Sequence, residues 1–231
     1  MNIFSNHTSM NREVSPLVLF LAILFLLLLA SCTDRPVRIA CVGDSITEGY
    51  GLESQSKSSY PVILDSLLGS GCEVLNCGRS ATTISRKGDY PFWGAKEFSN
   101  VFRFKPDIIT IKLGTNDTKP QNWNMQEYLQ SYQAMIDTFM SLSPVPTIYL
   151  CLPVPVYQDR WGISDSIVNA GVIPAIRQIA KVNGLTVINL NKALQGYPEC
   201  FPDGIHPEEK GMMLIANTIS GDIKHVVGWD K

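Results

Sequence analysis

A chain of 231 residues with a formal net charge of -2, 45% hydrophobic and 17% charged residues, has the balance of one ordinary globular domain with a sizeable core. Acidic and basic residues are interspersed and no basic run could track a phosphate backbone, so a nucleic-acid partner is not expected. Repeats and low-complexity segments are absent. Neither His-Glu-x-x-His nor paired Cys-x-x-Cys occurs, so no metal and no cofactor is called for.

Leu17 to Ala30 is an apolar run of fourteen residues, short of the roughly 20 needed to span a bilayer and of the right length for a signal-peptide core. Leu29-Ala30-Ser31-Cys32 follows, which resembles a bacterial lipoprotein processing site. Residues 1–31 are therefore expected to be removed, Cys32 to be acylated, 32–36 to form a lipidated linker, and 37–231 to be the working domain. Acyl chains contribute about 0.8 kcal/mol per buried methylene, enough to hold such a chain on a membrane, outside the cytoplasm. A disulfide among the remaining cysteines is not expected to be essential.

Val37 to Val42 reads as a short, buried strand. Tyr60 to Leu68 reads as a helix, with Pro61 in its first turn and Gly69 after its end. Strand patterns recur at Cys72–Asn76, Asp107–Leu113, Thr147–Leu152 and Thr186–Leu190, with helical patterns at Phe92–Phe102, Met125–Leu142, Ser164–Val182 and Pro207–Lys224. Pro174 is expected to kink the third of these helices. Continuous apolar strands alternating with helices predict a three-layer α/β/α sandwich around a mainly parallel five-stranded sheet. Ligands in such sheets gather at the C-terminal ends of the strands, where Ser45, Gly78, Asn116 and the loop from Pro153 all fall.

Ser45 stands in Gly43-Asp44-Ser45 directly after the first strand. A serine hydroxyl is a nucleophile only when a base takes its proton and fixed donors stabilise the charge that attack creates. The chain has three histidines, His7, His206 and His225. His7 leaves with the leader and His225 lies near the terminus, so His206 is the base. Asp203, three residues earlier, can reach its ring, and Pro207 places His206 at a helix entrance. Glu208 and Glu209 suit the first turn of that helix. Asp44 and Asp117 read as structural acceptors for backbone N–H groups. The order Ser, Asp, His is one of several in which unrelated folds assemble this constellation.

Four blocks, Gly43-Asp44-Ser45, Gly78, Gly114-Thr115-Asn116-Asp117 and Asp203-x-x-His206, resemble the SGNH (GDSL) hydrolases over nearly all of residues 37 to 220. The resemblance implies a flavodoxin-like fold, Ser45 as nucleophile, and an oxyanion hole made by the N–H groups of Ser45 and Gly78 with the side-chain amide of Asn116. The stretch from Leu113 to Trp123 is similar to family members that remove O-acetyl groups from carbohydrates, such as sialate and xylan acetylesterases.

That similarity predicts an esterase working on an acetylated glycan through an acyl-serine intermediate; the sequence does not fix the oligomeric state, and a monomer is favoured. Tyr90, Trp93, Trp123, Tyr157 and Trp161 are candidate platforms for sugar rings, and Arg79, Lys119 and Arg160 candidate contacts for a sugar carboxylate. Two other readings compete: a lysophospholipase or thioesterase acting on lipid esters, and a glycan-binding lipoprotein that does no chemistry.

Overall fold

The computed structural model describes residues 35–224. The segment expected to be a leader, with His7, and also Cys32 and His225, lie outside the described residues.

Five strands, β1 (Val37–Gly43), β2 (Cys72–Gly78), β3 (Ile108–Lys112), β4 (Thr147–Cys151) and β5 (Thr186–Ile188), form one sheet in the order β2-β1-β3-β4-β5. Every pairing is parallel. Five principal helices cover it: α1 (Tyr60–Leu68), α2 (Lys96–Phe104), α3 (Met125–Met140), α4 (Ile173–Asn183) and α5 (Glu209–Ile223).

Side-chain alternation along β1 sorts the layers. Ala40 and Val42 pack with residues of α2, α3 and α4, whereas Ile39 and Cys41 pack with α1 and α5. From Ile39 onward both faces of the strand are buried, which is why Ile39–Val42 reads as an unbroken apolar run.

Register positions the site. Gly43 is paired with Gly78 on one side and with Lys112 on the other, so β1, β2 and β3 end level. The chain leaves β1 for the edge strand β2 and then returns to the other side of β1. A crevice therefore opens at the C-terminal ends of β1 and β3, where the winding reverses.

Helix ends differ from the sequence reading where Pro and Gly intervene. Phe92–Gly94 is a 3-10 turn, and α2 begins only at Lys96, after the extended Ala95. Pro174 occupies the first turn of α4, and the residues before it, Val168–Val172, form a π turn that continues Asp165–Ile167. The missing N–H of Pro174 is thus absorbed by wider hydrogen bonding rather than by ending the helical path. The last helix starts at Glu209, not Pro207: the carbonyl of Glu208 accepts the first helical bond from Met212 N at 2.9 Å.

Candidate active site

The first turn after β1 is a sharp strand-to-helix elbow. Asp44 Oδ1 accepts from Ile46 N at 3.0 Å and so caps the short helical turn Ser45–Glu48, whose end is set by Gly49 at φ +94°. Thr47 Oγ1 lies 3.1 Å from the hydroxyl of Tyr60, tying the elbow to α1. Beneath it, Lys112 Nζ reaches Asp44 Oδ1 at 2.9 Å and Oδ2 at 3.1 Å, and both side chains are buried. The sequence reading missed Lys112. Its signal was a lysine inside an apolar strand, which must find a buried carboxylate.

Ser45 Oγ lies 2.8 Å from His206 Nε2, and His206 Nδ1 lies 2.7 Å from Asp203 Oδ2. The loop before α5 delivers both acidic and basic partners in a locked turn, because Asp203 Oδ1 also accepts from Ile205 N at 2.8 Å and His206 N at 2.7 Å. Burial alone would raise the Asp203 pKa. The hydrogen bonds from His206 and Ile205 outweigh it and hold the carboxyl below its ordinary value. A carboxylate on Nδ1 fixes the tautomer that leaves Nε2 free to take a proton from Ser45.

A pocket of about 240 Å³ opens over Ser45. Asn116, Ser80, Ala81 and Ile163 form part of its wall, with Lys119 beside them. His206 is flanked by two exposed aromatic rings, Tyr50 at 4.7 Å and Trp161 at 5.7 Å between centroids. Tyr50 was not foreseen. It follows the αL residue Gly49 directly, so the elbow itself turns this ring toward the histidine.

Gly78 requires a correction. Its N–H donates to Asn76 Oδ1 at 2.8 Å, and it is absent from the wall of the pocket. What it supplies is close approach: a Cβ there would fall 2.1 Å from Glu48 N. The next turn, from Arg79 to Thr82, carries Ala81 into the pocket instead. Ala81 has φ +65°, unusual for a residue with a Cβ, and its N–H has no partner among the described residues. Asn116 Nδ2 donates to Thr82 O at 3.2 Å, holding this turn beside the pocket. Asp117 pins the following residues, accepting from Ile84 N at 3.0 Å and Ser85 N at 2.9 Å.

The other aromatic candidates separate. Trp161 reaches the pocket, and Arg160 stacks on its ring at 4.5 Å. Trp93 and Trp123 do not reach it, since both pack against the core on the α2 to α4 face. Trp93 Nε1 donates to Ile84 O, and Arg86 covers its ring. Trp123 lies against Gly171, where a Cβ would come within 2.3 Å of the indole. Large aromatic side chains in loops bury unless something holds them out, and these two lie beside apolar neighbours. The Tyr157 hydroxyl is used by Leu194 O, Gly196 N and Tyr197 N. Arg79 and Tyr90 line a second cavity, which adjoins the pocket at Ser80 and Ala81.

This geometry agrees with the comparisons. The model of the GDSL-like lipase/acylhydrolase family matches residues 41–214. The chain belongs to that family. It is 37% identical over 210 residues to an acetylxylan esterase of Xylanibacter ruminicola, covering 83% of this chain and 44% of that protein. The chain thus spans less than half the length of this curated relative. Among solved structures, an M. smegmatis aryl esterase superposes with a TM-score of 0.70 at 17% identity, covering 82% of this chain and 99% of that one. Est24, a carbohydrate acetylesterase from Sinorhizobium meliloti, does so with a TM-score of 0.67 at 18% identity, covering 82% and 99%. These two show the shared fold of the GDSL-like family member described here.

Proposed function

We propose that this GDSL-family protein is a serine esterase that removes acetyl groups from a glycan. The observation that carries this reading is the unbroken relay from Asp203 through His206 to Ser45, at 2.7 and 2.8 Å, opening onto a pocket of about 240 Å³. That volume lies below the range of about 300 to 1,000 Å³ typical of drug-sized ligands, so it suits a short acyl group and one sugar ring.

His206 Nε2 takes the proton of Ser45 Oγ as the oxygen attacks the acetyl carbonyl carbon. The carbonyl oxygen becomes an oxyanion and moves toward the N–H groups of Ser45 and Ala81 and the Asn116 amide, donors placed before the charge appears. As the tetrahedral intermediate collapses, the ester C–O bond breaks and His206 returns its proton to the leaving sugar oxygen. Water then repeats the sequence on acetyl-Ser45 and releases acetate. Tyr50 and Trp161, beside the histidine, offer flat faces for the ring that carries the ester.

The acetylxylan esterase to which the chain is 37% identical makes acetylated xylan the first substrate to try. Acetate release from that polymer is expected, and Ser45→Ala should lower it about a thousandfold or more. Activity on aryl esters that rises from acetyl to octanoyl would point instead to lipid esters and overturn the assignment. Attachment to a membrane through Cys32 belongs to the same proposal and is supported by the apolar run and the Cys that follows it.

A further inference from the structure

The structure assigns a second sugar-binding subsite to the cavity on the far side of the Arg79–Thr82 turn, an inference that rests on the acetyl-glycan reading above. This cavity holds about 570 Å³, more than twice the catalytic pocket, and the two share Ser80 and Ala81 as a common wall. We infer that the substrate is an oligosaccharide. The acetylated ring occupies the pocket over Ser45, and neighbouring rings cross the Ser80–Ala81 ridge into the larger cavity.

The lining is suited to sugar. Tyr90 is 62% exposed, and an aromatic ring left in solvent at a cavity edge is a platform for the C–H face of a pyranose. Asp89 contributes acceptors, while Arg79 and Lys96 contribute donors for hydroxyl groups. The charges also select a class of glycan. Each lining ion has an opposite partner: Asp89 faces Lys119 at 3.6 Å, Lys96 faces Glu97 at 3.8 Å and Arg79 faces Glu48 at 4.0 Å. A carboxylate-bearing sugar would find no uncompensated cation here, so the cavity favours a neutral chain.

The wall is built rather than incidental. Thr83 N donates to Tyr90 O and Phe92 N to Thr83 O, each at 2.9 Å, closing the base of the loop that presents Asp89 and Tyr90. Asn122 fixes its tip: Asn122 Oδ1 accepts from Asp89 N at 2.9 Å, and Nδ2 donates to Asp89 Oδ1 at 2.8 Å. The same Nδ2 donates to the backbone oxygen of Asn116 at 3.0 Å. One buried side chain therefore holds the cavity wall and the residue whose amide faces the reacting carbonyl in a single arrangement.

The test compares acetate release from monoacetylated xylotriose and from monoacetylated methyl xyloside, in the wild-type protein and in two variants. Gly94→Trp fills the cavity, since nothing lies within 4 Å of a Cβ at Gly94. Tyr90→Ala removes the platform without adding bulk. Wild-type kcat/KM is expected to favour the trisaccharide by about tenfold or more, because remote binding energy lowers the barrier at the ester. Both variants should bring that ratio toward one while retaining the wild-type circular dichroism spectrum. A wild-type ratio near one, or a high ratio that neither variant alters, would overturn the subsite. A trisaccharide bearing a uronate, cleaved faster than the neutral one, would overturn its neutral character. Hydrolysis of aryl acetate with no release from either sugar would overturn the acetyl-glycan reading itself.

Discussion

At the scale of single residues, Ala81 carries the sharpest consequence. A side chain at φ +65° costs roughly 1–2 kcal/mol relative to the right-handed region. Replacing it by Gly removes that strain but adds unfolded-state entropy of about 0.4 to 1 kcal/mol. Ala81→Gly should therefore be neutral to about 1.6 kcal/mol stabilising in urea denaturation, with turnover preserved, since the N–H stays in place. Gly78→Ala should be strongly destabilising, because its Cβ would overlap the backbone at Glu48. Equal tolerance of the two changes would contradict these assignments. Asn116→Ala should lower kcat by about a hundred- to thousandfold with a smaller change in KM, as expected of an oxyanion donor.

At the scale of elements, the loops are held by buried charges. Lys112 on β3 and Asp44 after β1 neutralise each other under the nucleophile elbow. Lys112→Met leaves the Asp44 carboxylate buried without its cation, and a loss of about 3 to 5 kcal/mol is expected in chemical denaturation. Adding Asp44→Asn to that variant should recover part of it, and further loss in the double variant would show the pair to be unimportant. Asp117 joins the turn after β3 to the loop after β2. Burial pushes its carboxyl up to about 7, against the pull of the Ser85 and Ile84 amides. An unfolded aspartate titrates at about 4, so the folded chain holds an extra proton between roughly pH 4 and 7. This group's contribution is complete below pH 4 and declines as pH rises to 7. Asp117→Asn should flatten that decline in the urea midpoint. Asp203 acts in the opposite sense: its depressed pKa stabilises the fold above about pH 4, and acid removes that stabilisation.

At the scale of the whole molecule, the site is assembled from the two ends of the domain. Ser45 and His206 are 161 residues apart in sequence and meet only because β1 lies inside the sheet and α5 packs on α1. A lipid at Cys32 would set the first strand only a few residues from a membrane. If residues 1–31 are the proposed leader, the full chain expressed in a bacterium is expected in the detergent phase on Triton X-114 partition, and Cys32→Ser should shift it to the aqueous phase. Aqueous partition of both forms would refute the anchor.

The architecture was legible in the sequence because its signals are local. Short, mostly apolar runs marked the strands, and Pro61 with Gly69 bounded α1 to the residue. The triad was legible for a different reason: histidine is scarce, and Asp203 lies three residues from His206, close enough to bond in one turn. Local patterns failed where the answer depended on partners remote in sequence. Trp93 and Trp123 look like ligand platforms until α2, α3 and α4 bring the core beside them. Gly78 looks like a donor until Asn76 captures its N–H, and Ala81 is unremarkable in sequence until a positive φ carries it into the wall of the pocket that Ser45 also lines. Lys112 needed Asp44, 68 residues away, to explain its burial. The sequence by itself therefore determined the fold, because hydrophobic periodicity requires no knowledge of neighbours, and its four family-like blocks marked Ser45 and His206 as the expected nucleophile and base. Only the tertiary structure decided that the Gly78 N–H is taken and Ala81 lines the pocket, which aromatic rings stay in solvent, and that a second cavity adjoins the first. Those properties belong to the packing between distant segments.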